Sequence, residues 1–189
     1  MAFGDSFTWG SDMTDTMRDF EWNAMPAEWK RANRFDDMYS KYTWQSFLAN
    51  KLGLSYVCLA EQGCSNQSIV RRFFENVQRI QPGDLVSVNF TWRDRYDFFN
   101  DTEQKWHTVR PSGTEDTEYH ELYYTHLHSS TWDQIESLKA INLIIDYLKL
   151  NNIDFVAIAV ISIVYTRPQG NNPFNEPKVK KLHLDLEFN

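Results

Sequence analysis

Cysteine is scarce in this chain: only Cys58 and Cys64 occur in 189 residues. Two thiols cannot build a disulfide framework, and neither belongs to a zinc-type spacing pair. With no secretion signal, reduced cysteines in a cytoplasmic compartment are the expectation, and the sequons at Asn66, Asn89 and Asn100 carry no weight. No apolar run approaches the roughly 18 residues that a membrane span requires, so no membrane partner is expected. Basic residues are also short: 19 Lys and Arg stand against 26 Asp and Glu, giving a net charge of −7. There is no dense basic run, and Lys178, Lys180 and Lys181 make only a short cluster. Sequence-independent binding to nucleic acid needs a positive surface, so no nucleic-acid partner is expected.

What the chain does have is aromatic residues, with seven Trp, nine Tyr and thirteen Phe, many of them in polar segments. Its length fits one domain able to bury a substantial core. Periodicity predicts helices over 39–52, from Ser65 or Asn66 to Ile80, and from a capping box at Ser130–Asp133 to about 150. Strands are expected at 1–3, 54–60, 85–90 and 153–165, the last an almost continuous apolar run suited to burial on both faces. A final alternating segment, 182–188, reads as a half-buried strand. Residues 11–38 and 93–130 lack a clean period and read as two long insertions. Strands alternating with helices predict an α/β fold, a three-layer α/β/α arrangement on a mostly parallel sheet.

Directly after the first strand comes Gly4-Asp5-Ser6-Phe7-Thr8-Trp9-Gly10. A serine at the carboxyl end of a parallel strand faces the edge where α/β proteins bind ligands, although Asp-Ser also makes ordinary turns and caps. This heptapeptide resembles the first block of the GDSL/SGNH hydrolases, and Ala60-Glu61-Gln62-Gly63-Cys64-Ser65-Asn66 is similar to their second. Thr91-Trp92 and Arg95 give the chain its likeness to uncharacterised phage and marine microbial members, over roughly residues 1–165.

The resemblance implies a flavodoxin-like sheet and a serine ester hydrolase without metal or other cofactor. Its substrate would be an acyl or acetyl ester, including one carried by a carbohydrate. Ser6 is the implied nucleophile, and the Ser6 and Gly63 backbone N–H groups are implied oxyanion donors. Asn89 or Thr91, on one strand face, could add a third donor, and Asn66 could bind substrate or cap its helix. A non-catalytic carbohydrate-binding or virion-associated protein on the same scaffold is the alternative.

Two family blocks depart from the pattern. Where Gly-x-Asn-Asp is expected the chain reads Val88-Asn89-Phe90-Thr91-Trp92-Arg93-Asp94, and no aspartate stands three residues before any of the five histidines. With a very short first strand, this predicts a single domain over 1–189, incomplete at both ends and lacking its Asp-x-x-His block. His126 and His128, with His120 nearby, could be metal ligands but read better as solvated loop residues. His183 lacks the family spacing. Asp12, Asp15 and Asp19 lack the glycine and glutamate of a calcium loop.

Overall fold

A computed structural model of the chain describes residues 1–11, 13, 39–111 and 117–159. The predicted strand at 182–188 and the far end of that at 153–165 lie outside the described residues, as do most of the first insertion, Asp12, Asp15, Asp19 and His183.

Three strands form a parallel sheet: β1 (Ala2–Phe3), β2 (Leu85–Phe90) and β5 (Asp154–Ala159), in the order β1-β2-β5. Phe3 pairs with Val88, and Val88 with Ala157. Beyond β1, the segment around Cys58 makes a parallel bridge to Ala2, supported by Ala2 N–H to the Val57 carbonyl at 2.9 Å and Leu59 N–H to the Ala2 carbonyl at 2.7 Å. The strand predicted over 54–60 is thus reduced to a single bridge. Its partner is two residues long, and a ladder cannot outrun the shorter strand.

Three longer helices flank the sheet: α2 (Trp44–Leu52), α3 (Asn66–Asn76) and α5 (Ser130–Leu150). Each has a side-chain cap at its start: Thr43 receives the Ser46 N–H, Ser65 the Ser68 N–H and Ser129 the Trp132 N–H. Helix α2 therefore begins at Trp44 rather than Tyr39, and α5 is capped one residue before the predicted box. Helices α3 and α5 pack on each other and on one face of the sheet. Their spaced apolar residues, Ile69 and Phe73 from α3 and Ile141, Ile144, Ile145 and Leu148 from α5, close over Phe3, Val86, Val88 and Phe90. Phe73 is the hinge of this core, its ring 5.3 Å edge-on from Phe3 and 5.6 Å from Tyr147. On the opposite face, Ser87 of β2 shares a cavity of about 60 Å³ with Gln45, Leu48 and Ala49 of α2. The expected α/β class with a parallel sheet is what the structure shows.

The region 93–130 is a correction to the sequence reading, which took it as an irregular insertion. It holds an antiparallel hairpin, β3 (Tyr96–Asn100) with β4 (Lys105–Val109), then α4 (Thr117–Leu122), preceding α5, and a π-helical turn over Tyr123–Leu127. Asp97 clamps the hairpin to α3. Its carboxylate accepts the Ser68 hydroxyl at 2.6 Å, the Arg71 guanidinium at 2.8 Å and the Thr108 hydroxyl at 2.7 Å. Phe98 stacks on His107 across the two strands, centroids 5.2 Å apart.

Candidate functional site

From β1 the chain runs first to the Cys58 segment on one side and then to β2 on the other, so the strand order reverses between β1 and β2. The crevice at the carboxyl ends of such strands is the usual ligand position in open α/β sheets. The residues there are Gly4 to Trp9 after β1 and Thr91 to Arg95 after β2.

Helix α1 (Ser6–Trp9) turns back at once on β1, close enough that a Cβ on Gly4 would fall 2.2 Å from the Thr8 hydroxyl. Only glycine permits that approach. Asp5 caps the turn. Its side chain is fully buried and accepts the Phe7 N–H at 3.1 Å and the Thr91 hydroxyl at 2.6 Å, with the Arg95 guanidinium 3.6 Å away. A carboxylate out of water is costly unless donors surround it, and these three supply that compensation. The carboxylate thereby ties the carboxyl ends of β1 and β2 together. Ser6, the first residue of α1, is partly exposed, and its hydroxyl makes no hydrogen bond among the described residues.

Gly63 lies in a loop laid against this turn. The Gly4 carbonyl accepts the Glu61 N–H at 3.0 Å and the Cys64 thiol at 3.4 Å, and Arg95 donates to the Cys64 carbonyl at 2.8 Å. Gly63 has φ +73°, and a Cβ there would meet the Arg110 guanidinium at 2.6 Å. Conformation and space both require glycine at this place. Burial pushes the Cys64 thiol up, so it is a neutral packing group and not a nucleophile.

The remaining expected site residues divide into two kinds. Asn66 is committed to the frame: its amide donates to the Thr91 carbonyl and to the Ser137 hydroxyl, both at 3.1 Å, and its carbonyl accepts the Thr91 N–H at 2.9 Å. The Thr91 hydroxyl is spent on Asp5. Asn89 differs. It is buried beside Gly4, and its side chain makes no hydrogen bond among the described residues. Ser6 and Asn89 are thus the uncommitted polar side chains in a corner where the others are taken.

Sequence spacing gave no hint of a pairing between His128 and Asp133. Asp133, its side chain only 4% exposed in the first turns of α5, accepts the Tyr123 hydroxyl at 2.7 Å and has His128 Nε2 at 3.0 Å. That ring nitrogen stands off the hydrogen-bond line, and the Asp133 oxygen facing it has no hydrogen-bond partner among the described residues. Burial raises the Asp133 carboxyl from its ordinary range, opposed in part by the Tyr123 hydroxyl and by His128. The group is tied to the segment after β2 and to the start of α3. Tyr124, whose ring is 5.3 Å from that of His128, donates its hydroxyl to the Asp94 carbonyl, and Ser137, one turn along α5 from Asp133, is the Asn66 partner. A search for aspartate three residues before histidine misses the pair because the order is reversed and the spacing is five. His126 is exposed, His120 contacts the Pro111 carbonyl at 3.0 Å, and no cluster of three metal-ligating side chains occurs among the described residues.

Beside Ser6 stands an aromatic pair. Phe7, 61% exposed, has its ring centroid 5.6 Å from that of Trp92, and the Arg95 guanidinium lies 5.1 Å from the Trp92 ring. No described helix is long and apolar enough to cross a membrane. Comparison with family models, with curated proteins and with solved structures finds no match to this chain.

Proposed function

We propose that the protein is a serine ester hydrolase of the SGNH kind, with Ser6 as nucleophile on a flavodoxin-like three-layer scaffold. The observation that carries this reading is the corner itself: a serine with an unengaged hydroxyl, fixed by a buried carboxylate at the point where the strand order reverses. In the mechanism, the Ser6 oxygen attacks the ester carbonyl, forming a tetrahedral intermediate. The Ser6 and Gly63 N–H groups receive the developing oxyanion, each such donor being worth about 3–4 kcal/mol where its geometry is good. The Asn89 amide is the third donor. Collapse of the intermediate expels the alcohol and leaves an acyl-serine for water to hydrolyse.

The proton of Ser6 requires a base. We assign it to His128, the described histidine already held against a buried carboxylate. His128 and Ser6 are not hydrogen-bonded in the structure, so the base role requires the two to meet when substrate is held. The substrate is an acyl ester, and neither metal nor organic cofactor enters the mechanism.

The test is labelling by a fluorophosphonate probe. The wild type should label, Ser6→Ala should not, and His128→Gln should label at least about a hundredfold more slowly if it is the base. Labelling that survives in Ser6→Ala removes Ser6 from the mechanism. Absence of labelling in the wild type favours a binding protein on the same scaffold.

A further inference from the structure

Tyr123 fastens both members of the His128–Asp133 pair. Its backbone carbonyl accepts the His128 N–H at 2.7 Å, and its hydroxyl donates to Asp133 Oδ1 at 2.7 Å. The first bond has the reach of a π-helical turn, whereas an α-helical turn would pair that carbonyl with the Leu127 N–H. The Tyr123 ring is itself held. It is buried, stacks on Tyr96 of β3 with centroids 4.4 Å apart and planes at 11°, and meets Tyr124 edge-on at 5.0 Å. Burial, reinforced by the adjoining carboxylate, pushes the Tyr123 hydroxyl up, so it stays protonated and serves Asp133 as a donor.

The consequence falls on the carboxylate. With Oδ1 taken by Tyr123, Oδ2 is the atom left over, buried, without a hydrogen-bond partner among the described residues and 3.0 Å from His128 Nε2. A buried acceptor left open in this way favours a hydrogen on the nitrogen facing it. In a neutral imidazole one nitrogen carries the hydrogen and the other accepts, so a hydrogen on Nε2 makes Nδ1 the accepting nitrogen. Nδ1 makes no hydrogen bond among the described residues, and a third of the side chain is in water. Building on the assignment of His128 as the base, we propose that Tyr123 is the positioning residue of this pair, and that the imidazole, turned to bring Nε2–H into line with Oδ2, accepts the Ser6 proton at Nδ1. The proton leaves Ser6 Oγ as that oxygen bonds the ester carbonyl carbon, and Nδ1 returns it to the departing alcohol. Tyr123 touches no reacting atom. It fixes which carboxylate oxygen, and so which ring nitrogen, is engaged.

Nitrogen NMR of the histidine side chains reads the tautomer, with His128→Gln giving the assignment, and fluorophosphonate labelling of Ser6 reads the rate. In the wild type, at a pH where the imidazole is neutral, His128 should carry its hydrogen on Nε2. Tyr123→Phe should return the ring to a mixture of tautomers and slow Ser6 labelling about tenfold, the kinetic worth of one net hydrogen bond. Tyr124→Phe removes a hydroxyl from the same aromatic cluster, one given to the Asp94 carbonyl, and should leave both readouts at the wild-type value. A hydrogen on Nδ1 in the wild type would overturn the proposal. Equal slowing by the two tyrosine variants would also overturn it, since the cluster would then act by packing alone. Should Tyr123→Phe keep the wild-type tautomer and rate while His128→Gln labels slowly, the positioning role is lost and the hydrolase reading stands. A wild type that never labels sinks the hydrolase reading and the Ser6 step with it. In that case a tautomer fixed in the wild type and mixed in Tyr123→Phe still establishes the positioning role, and one mixed in both removes it.

Discussion

Two buried aspartates hold two parts of this molecule, and they do so differently. Asp5 joins the ends of β1 and β2 through a backbone N–H, a threonine hydroxyl 86 residues away in sequence, and an arginine at 3.6 Å. Asp97 joins the β3–β4 hairpin to α3 through two hydroxyls and a direct arginine pair at 2.8 Å. The second clamp is self-contained and its arginine is partly in water. The first has no close ion pair to fall back on, and the conformation of Ser6 depends on it. Similar chemistry therefore serves a site in one case and an appended hairpin in the other.

The sharpest way to break this comparison is Asp5→Ala. It leaves the Thr91 hydroxyl without its acceptor and the Arg95 guanidinium with only the Cys64 carbonyl, and should cost about 3–5 kcal/mol in urea unfolding together with all Ser6 labelling. Unchanged labelling would separate the serine from its supposed frame. Gly63→Val ranks next. The left-handed backbone and the overlap with Arg110 together should cost about 2–4 kcal/mol and suppress labelling, whereas Gly63→Val combined with Arg110→Ala should recover only the steric part. Full recovery in the double variant would show that φ is not limiting.

Asp97→Ala should be milder, about 1–3 kcal/mol, because water screens Arg71 and can solvate it after the loss. Hydrogen exchange should speed up in 96–109 while Ser6 labelling persists. Lost labelling would mean that the hairpin and the serine corner are coupled. The smallest effect concerns Asp133. Burial holds its folded pKa above the unfolded one, so its contribution to stability is complete below the unfolded carboxylate range and declines as pH rises through the folded pKa. The stability of wild type relative to Asp133→Asn should accordingly fall as pH rises above the ordinary carboxylate range. A difference that grows with pH would show that the charge of His128 outweighs burial.

Much of the frame was legible in the sequence because it follows repeating apolar spacing. Strand β2 was expected at 85–90, and α3 and α5 within a few residues of their ends, since Ile69/Phe73 and Leu138/Ile141/Ile145/Leu148 fall on single helical faces. The hairpin was not legible. Its turn has no Asn-Gly or Asp-Gly, and Gln104, at φ +52°, takes the left-handed position instead. Phe98 and Phe99 sit side by side, which breaks the alternation that marks a strand. At the site, Ser6 and Gly63 were readable as a turn-borne hydroxyl and a special glycine. The buried roles of Asp5 and Asn66 were not, because they are contacts over 25 to 86 residues that no local pattern encodes. The pairing of His128 with Asp133 is hidden for a related reason: the two are brought together across the junction between a π-helical turn and α5, which no local pattern encodes.

The brevity of β1 has a consequence for how the molecule assembles. Two residues cannot nucleate a strand, and both neighbours of β1 lie far along the chain, at Cys58 and at 87–88. Closing such loops must precede any gain from the contacts they enable. Residues 2–9 find their first neighbours only in the segment around Cys58, and the corner is complete only when β2 has paired and Thr91 reaches Asp5. The serine corner is therefore a late element of folding although it stands first in the sequence. Slow steps in refolding should be felt there before they are felt in the α3–α5 core.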